Sequence, residues 1–189
     1  MKKNIFIVGF SLISILGLQA CDVPKKKTDE LPLQKYTVAT ISCDEKKALR
    51  FHEEHSSISI SGECDSVSIS SKNSTFTIES TKSLQLSGQK NKIHLDHPVR
   101  SVQLAGTSNH IQLDRTEKMA IAGLNNTVKL NRVDTMDIAG LYNNIQVNQL
   151  GKVNIAGVWL RVEYEDGLQP KEPVSVQMYG FLNRLDQMN

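Results

Sequence analysis

The residue groups that could do chemistry are few and poorly arranged for it. His52-Glu53-Glu54-His55 offers two imidazoles and two carboxylates. Its spacing departs from the helical His-Glu-x-x-His pattern, which sets both imidazoles on one helix face a turn apart. A solvated charged loop is the reading this stretch supports, and no metal site and no cofactor are expected. His94 and His97 flank a turn, and His110 follows an Asn turn; all three are expected at the surface. A sugar-cleaving site needs two carboxylates facing each other across a bond. Asp96, Asp114, Glu117 and Asp134 fall in turns with no evident pairing. There is no Gly-x-Ser-x-Gly, so the many serines read as strand surface and not as nucleophiles. The chain is expected not to be an enzyme.

Charge excludes another class. The formal net charge is +2, but Lys2 and Lys3 lie in a segment read below as removed. Without them 20 basic residues face 20 acidic ones, and the only basic cluster is Lys25-Lys26-Lys27. A neutral domain without a basic stripe has no electrostatic case for nucleic acid.

The first residues are an address. Met1-Lys2-Lys3-Asn4 is a short positive start, and Ile5 to Leu16 is a nearly unbroken apolar run. Together they read as a secretory signal peptide, too short for a comfortable membrane span. Leu18-Gln19-Ala20-Cys21 resembles the lipobox of bacterial lipoproteins. The resemblance implies a diacylglyceryl group on the Cys21 thiol and cleavage before it, so that Cys21 opens the mature chain. Two or more acyl chains hold a protein firmly on a membrane. Asp22 resembles the residue that retains enterobacterial lipoproteins at the inner membrane, a rule that varies between bacteria. The expected location is therefore the bacterial cell envelope, on the periplasmic face of either membrane or on the cell surface. If Cys21 is acylated, Cys43 and Cys64 remain, and two thiols in an oxidising compartment read as one disulfide.

The expected organisation is a signal peptide over 1–20, then a lipidated cysteine with a charged, proline-containing tether over 21–35. A strand or cap region follows over 36–57, beginning at Tyr36-Thr37-Val38-Ala39-Thr40-Ile41. Within it Asp44 to His55 has some helical character. A repeat domain occupies 58–189.

The repeat dominates the chain. Val102-x-Leu104-x-Gly106-x-x-Asn109-x-Ile111-x-Leu113 recurs around Gly88 and Asn91, Gly123 and Asn126, and Gly140 and Asn143. Gly157 heads a copy with Leu160 in the Asn place, and Gly180 heads one that restores Asn183 after an insertion. Gly62 with Asp65 reads as the earliest copy. Each unit is expected to be two short strands joined by a turn. Glycine there supplies a backbone angle and asparagine bonds the turn backbone. A period of 17–18 residues that matches apolar to apolar, Gly to Gly and Asn to Asn is the logic of a β-solenoid. An all-β solenoid of about six to seven coils is predicted, its handedness open. The asparagines 91, 109, 126 and 143 are expected to form a ladder along one edge.

Cys43-Asp44, Ser57 to Cys64 and the Gly-x-x-Asn turns resemble an uncharacterised family of exported bacterial domains with short solenoid repeats. That resemblance covers Thr40 to the C-terminus. It implies a fold and an exported location and carries no catalytic residues.

One pattern departs from a polar turn. After the repeat glycines stand Gln89-Lys90 and Thr107-Ser108, but then Leu124, Leu141-Tyr142, Val158-Trp159 and Phe181-Leu182. Stacked coils would align these into an apolar ridge holding the single tryptophan. Two readings stand. The ridge is a binding site for a protein or envelope polymer, or it is covered by residues 36–55 or the C-terminus as a second small core. A glycan-binding or glycan-modifying face is a further hypothesis, using outward Gln103, Gln112, Lys129, Asp137 and Gln146. A purely structural envelope protein is a third.

Overall fold

The structure, a computed structural model, describes residues 38–43, 47–169 and 173–188. The expected signal peptide, Cys21, the tether and Tyr36 lie outside the described residues. The described chain is all-β, with every strand pairing parallel, wound into a β-solenoid of about seven turns.

Burial along the chain shows why the coil has three sides. Strand β7 (His110–Leu124) buries Ile111, Leu113, Thr116, Met119 and Ile121. Alternation breaks twice, where two exposed residues separate buried ones at Asp114-Arg115 and Glu117-Lys118. A strand that kept its period of two would turn its apolar set outward, so each break is a corner. β8 (Thr127–Leu141) and β9 (Asn144–Val158) repeat the pattern in register, with Ile111 on Val128 on Ile145 and Met119 on Met136 on Val153.

The first face carries β1 (Val38–Ser42), the first half of β3 (Ser57–Ile69) and of β4 (Thr75–Leu86), and β5 (Lys92–Leu95). The starts of β7 to β9 continue it, and β10 (Arg161–Asp166) and β12 (Arg184–Gln187) complete it. The third face carries β2 (Ala48–Phe51), the ends of β3 and β4, β6 (Val99–Thr107), the ends of β7 to β9 and β11 (Ser175–Phe181). The second face is the short segment between them, centred on Thr116, Val133 and Leu150.

Residues 38–43 and 47–56 belong to a coil of this same solenoid. β1 lies on Ser57–Ser61 and β2 on Ser66–Ile69. Within the stretch expected to have helical character, Ala48–Phe51 is strand, because Leu49 and Phe51 then stack on Val67 and Ile69 and are buried; Asp44 to Lys46 lie outside the described residues. Cys43 and Cys64 form a disulfide, with Cα atoms 5.3 Å apart. It joins the first coil to the second. Replacing both cysteines by serine is expected to lower unfolding stability by about 3 kcal/mol, on the chain-entropy account of a loop this long. Denaturant titration checks the loss, and protease cleavage confined to residues before Ser57 would place it in the first coil.

The corners separating the third face from the first correct two sequence expectations. The residue with left-handed backbone is never the repeat glycine alone. It recurs at His55, Asn73, Lys90, Ser108, Asn125, Tyr142, Trp159 and Leu182, all with φ near +55°. The glycine sits two residues earlier; Gly123, Gly140 and Gly180 do hold a positive φ as expected, but Gly88, Gly106 and Gly157 do not, and the reason common to all of them is space. A Cβ on Gly88, Gly106 or Gly157 would stand 2.0–2.2 Å from a backbone carbonyl oxygen of the coil before. The second correction concerns Gly62 and Asp65. Ile58 and Ile60 belong to the first face, in register with Phe76 and Ile78, and Gly62 lies at a bulge after them. The glycine place in that coil is held by Ser71, whose carbonyl Gly88 overlies, and the Asn place by Ser74.

The inward residue after each left-handed corner forms a buried ladder. Asn91, Asn109 and Asn126 each donate Nδ2 to Oδ1 of the next rung, ending at Asn143, at 3.0–3.1 Å. Each backbone N–H of those three donates to the same oxygen at 2.9–3.0 Å. Each Nδ2 also reaches a carbonyl of the coil before, as Asn126 does to Gly106. Ser74 N–H feeds the ladder at one end, bonding Asn91 Oδ1. Leu160 interrupts it, and Asn183 resumes it by accepting Leu160 N–H at 3.1 Å.

Candidate functional site

The corner between the third and first faces is also where the ridge stands. Leu124, Leu141, Val158 and Phe181 are successive register partners at the ends of β7, β8, β9 and β11. Each immediately follows a glycine of the inner stack and so points outward. Tyr142, Trp159 and Leu182 take the left-handed positions next to them. Among the described residues nothing covers this edge: Tyr142 and Trp159 are about half exposed and Phe181 is 66% exposed. Val158 alone is partly sheltered. The Tyr142 and Trp159 rings stack, with centroids 6.3 Å apart and planes 17° from parallel.

Backbone energetics make these residues unusual for a corner. A left-handed conformation costs a residue with a Cβ roughly 1–2 kcal/mol, least for Asn. Asn73 and Asn125 follow that rule. Tyr142, Trp159 and Leu182 add to that cost the exposure of a large apolar side chain, with no core contact in return. Strained, exposed aromatic positions are a signature of recognition surfaces.

Sequence reasoning missed the column beside the ridge. Ala105, Ala122, Ala139 and Ala156 are register partners, outward-facing and exposed, and Tyr179 ends their row. The signal was in the repeat itself, since alanine precedes glycine at four successive copies. With Ala120 they floor a shallow apolar trough of about 440 Å³, bordered by Gln103, Asp137 and Asn154. The alanine column and the ridge together form a strip without a charged side chain, with Asp137 on its border.

The polar candidates do not converge. Gln112, Lys129 and Gln146 share one column of the first face, between His94 and Glu163. Gln103 and Asp137 lie on the third face, in register with Ala120 and Asn154. The five expected glycan contacts are therefore split between two faces. The first-face column borders a groove with Asp96, Asp114, Asn131 and Asn148, but its polar groups are turned to one another. His94 Nε2 lies 3.0 Å from Asp96, and Asn131 donates to Asp114 at 2.6 Å. Glu117 and Asp134 stand at the next corner, and Asp134 pairs with Arg132. His55 is exposed in a left-handed corner beside Glu54. Among the described residues no three His, Cys, Asp or Glu side chains come together as a metal site.

The family model described as a protein of unknown function, DUF3060, matches residues 86–135. That span holds Gly88, Gly106 and Gly123 with Asn91, Asn109 and Asn126. Nothing among curated proteins or solved structures matches the chain.

Proposed function

We propose that this chain is a lipid-anchored protein of the bacterial cell envelope whose solenoid is a non-catalytic interaction scaffold. The anchor is Cys21, and the contact is the Leu124–Leu182 edge, which engages a protein or envelope polymer. The observation that carries the reading is the filling of three strained corners by exposed Tyr142, Trp159 and Leu182. A tether and a rigid rod with one apolar edge suit presentation better than turnover.

The test uses the full-length chain in a bacterial envelope, with a photo-reactive residue at position 159 or, on the polar first face, at position 129. A discrete adduct from 159 and none from 129 is expected. Changing Tyr142 to asparagine, which tolerates the corner's backbone, should remove the adduct without unfolding the domain. Cys21→Ala should shift the chain from the membrane fraction to the soluble one. Equal labelling from both positions, or none from 159, would sink the reading.

A further inference from the structure

We infer that the partner of this edge is a second copy of the same chain, packed side by side with its solenoid axis parallel. This rests on the interaction reading above and names its partner. The argument is one of shape. On the outward side of the third face the side chains stand in columns about 7 Å apart, on rungs about 4.8 Å apart. In order across the face these are the polar column of Gln103, Asp137 and Asn154, the alanine column, the ridge column, and the corner residues. A column of large side chains therefore adjoins a column of small ones.

Two symmetric packings bring such faces together, because a closed dimer uses the same patch twice. A two-fold axis along the strands would set ridge on ridge and leave the alanine troughs empty. A two-fold axis along the solenoid, between the alanine and ridge columns, exchanges them. Leu124, Leu141 and Val158 then fall over Ala122, Ala139 and Ala156 of the second copy, rung for rung. On the last rung Tyr179 meets Phe181. The same operation carries Tyr142 over Asp137 and Trp159 over Asn154 of the second copy, so the phenol O–H, a donor, faces an exposed carboxylate.

Charge and area fit the same partner. No charged side chain stands in the alanine, ridge or corner columns from Ala105 to Leu182. Charge depletion marks the centre of a protein interface. Five rungs by three columns give a strip of roughly 20 Å by 20 Å. With the raised aromatic side chains the two copies bury on the order of 1,000 Å² in total, at the lower bound of specific interfaces. That area fits a weak dimer strengthened by holding both copies on one membrane, where effective concentration is high. The parallel arrangement brings both Val38 rungs to the same end, so two tethers can start from one surface.

The test is disulfide trapping of the full-length chain in the envelope, with two copies carrying different tags. Ala139→Cys in one copy should cross-link to Leu141→Cys in the other at least ten-fold more than Gln112→Cys cross-links to itself. Adding Ala122→Trp to both copies, which fills the trough at a surface position, should reduce the yield at least ten-fold. Absence of the mixed product overturns the inference. So does a Leu141→Cys self-link of equal yield, which would report ridge on ridge. If the mixed product is absent while the photo-reactive residue at 159 still captures another envelope component, the interaction reading stands and only the self-partner falls. If both fail, both fall.

Discussion

Gly140→Ala is expected to cost the solenoid more than 3 kcal/mol of unfolding free energy, among the largest effects of any single methyl group here. The added Cβ would stand 2.1 Å from Gly123 O and 2.8 Å from Gly123 N. Both obstacles are backbone, already fixed by the parallel pairing of β7 with β8. No side chain can rotate away, so the coils must separate where they are closest. Gly140 also holds φ at +110°, outside what alanine adopts without strain. The neighbouring Ala139→Gly is the control. It changes one methyl group on the outer surface and should cost only about 0.5–1 kcal/mol, the ordinary penalty of a glycine in a strand. Denaturant unfolding of the two variants separates close approach from chain entropy. A Gly140→Ala loss below 1 kcal/mol would mean that the glycine stack does not set the spacing of the coils.

That stack also shows what could be read from the residues and what could not. Glycines spaced by 18 and 17, with Asn three residues later, are enough to predict coils in register. The period reports which atoms repeat, but it is silent on why. Glycine at a turn and glycine beneath a neighbouring carbonyl leave the same trace, and only the coordinates place the left-handed angle two residues further on. The early coils hide for a related reason. Ser71 and Ser74 do the work of Gly and Asn in small or polar forms that match no consensus, so Ile58-x-Ile60-x-Gly62 imitates the repeat on the wrong face. The ridge was legible as a row of apolar residues where a corner should be polar. Its openness was not, because exposure depends on where residues 38–55 and the last strands go. They became coils in the stack. The alanine column went unread because an outward alanine among strand residues carries no signal until its register with three others is known.

Asn126→Ala should approach the glycine variant in cost, by a different route. Asn126 is fully buried and is held on both sides. Its Oδ1 accepts from Asn109 N–H and Nδ2, and its Nδ2 donates to Gly106 O and to Asn143 Oδ1. Alanine removes every one of these and leaves the buried Asn109 N–H and the Gly106 carbonyl short of a partner. At about 1–3 kcal/mol for each buried group left unsatisfied, the loss should be about 2–6 kcal/mol. Asn126→Asp gives the sharper result because its sign depends on pH. A carboxylate can still accept from Asn109, but it cannot donate, and it would face Gly106 O and Asn143 Oδ1 with a negative charge. Burial and those oxygens favour the neutral acid, whose O–H can donate to one of them, so the folded-state pKa lies above the usual value of about 3.9. The folded state then binds the proton more tightly than the unfolded one. Asn126→Asp should accordingly be most stable below that value and lose stability as pH rises through it toward the folded pKa. Thermal melts of the variant between pH 3 and pH 7, each set against the parent chain, read this directly. A variant that is as stable relative to its parent at pH 7 as at pH 3 would mean that the ladder acts only as an acceptor. The donor half of each asparagine, and with it the reason for an amide in place of a carboxylate at four successive rungs, would then need another origin.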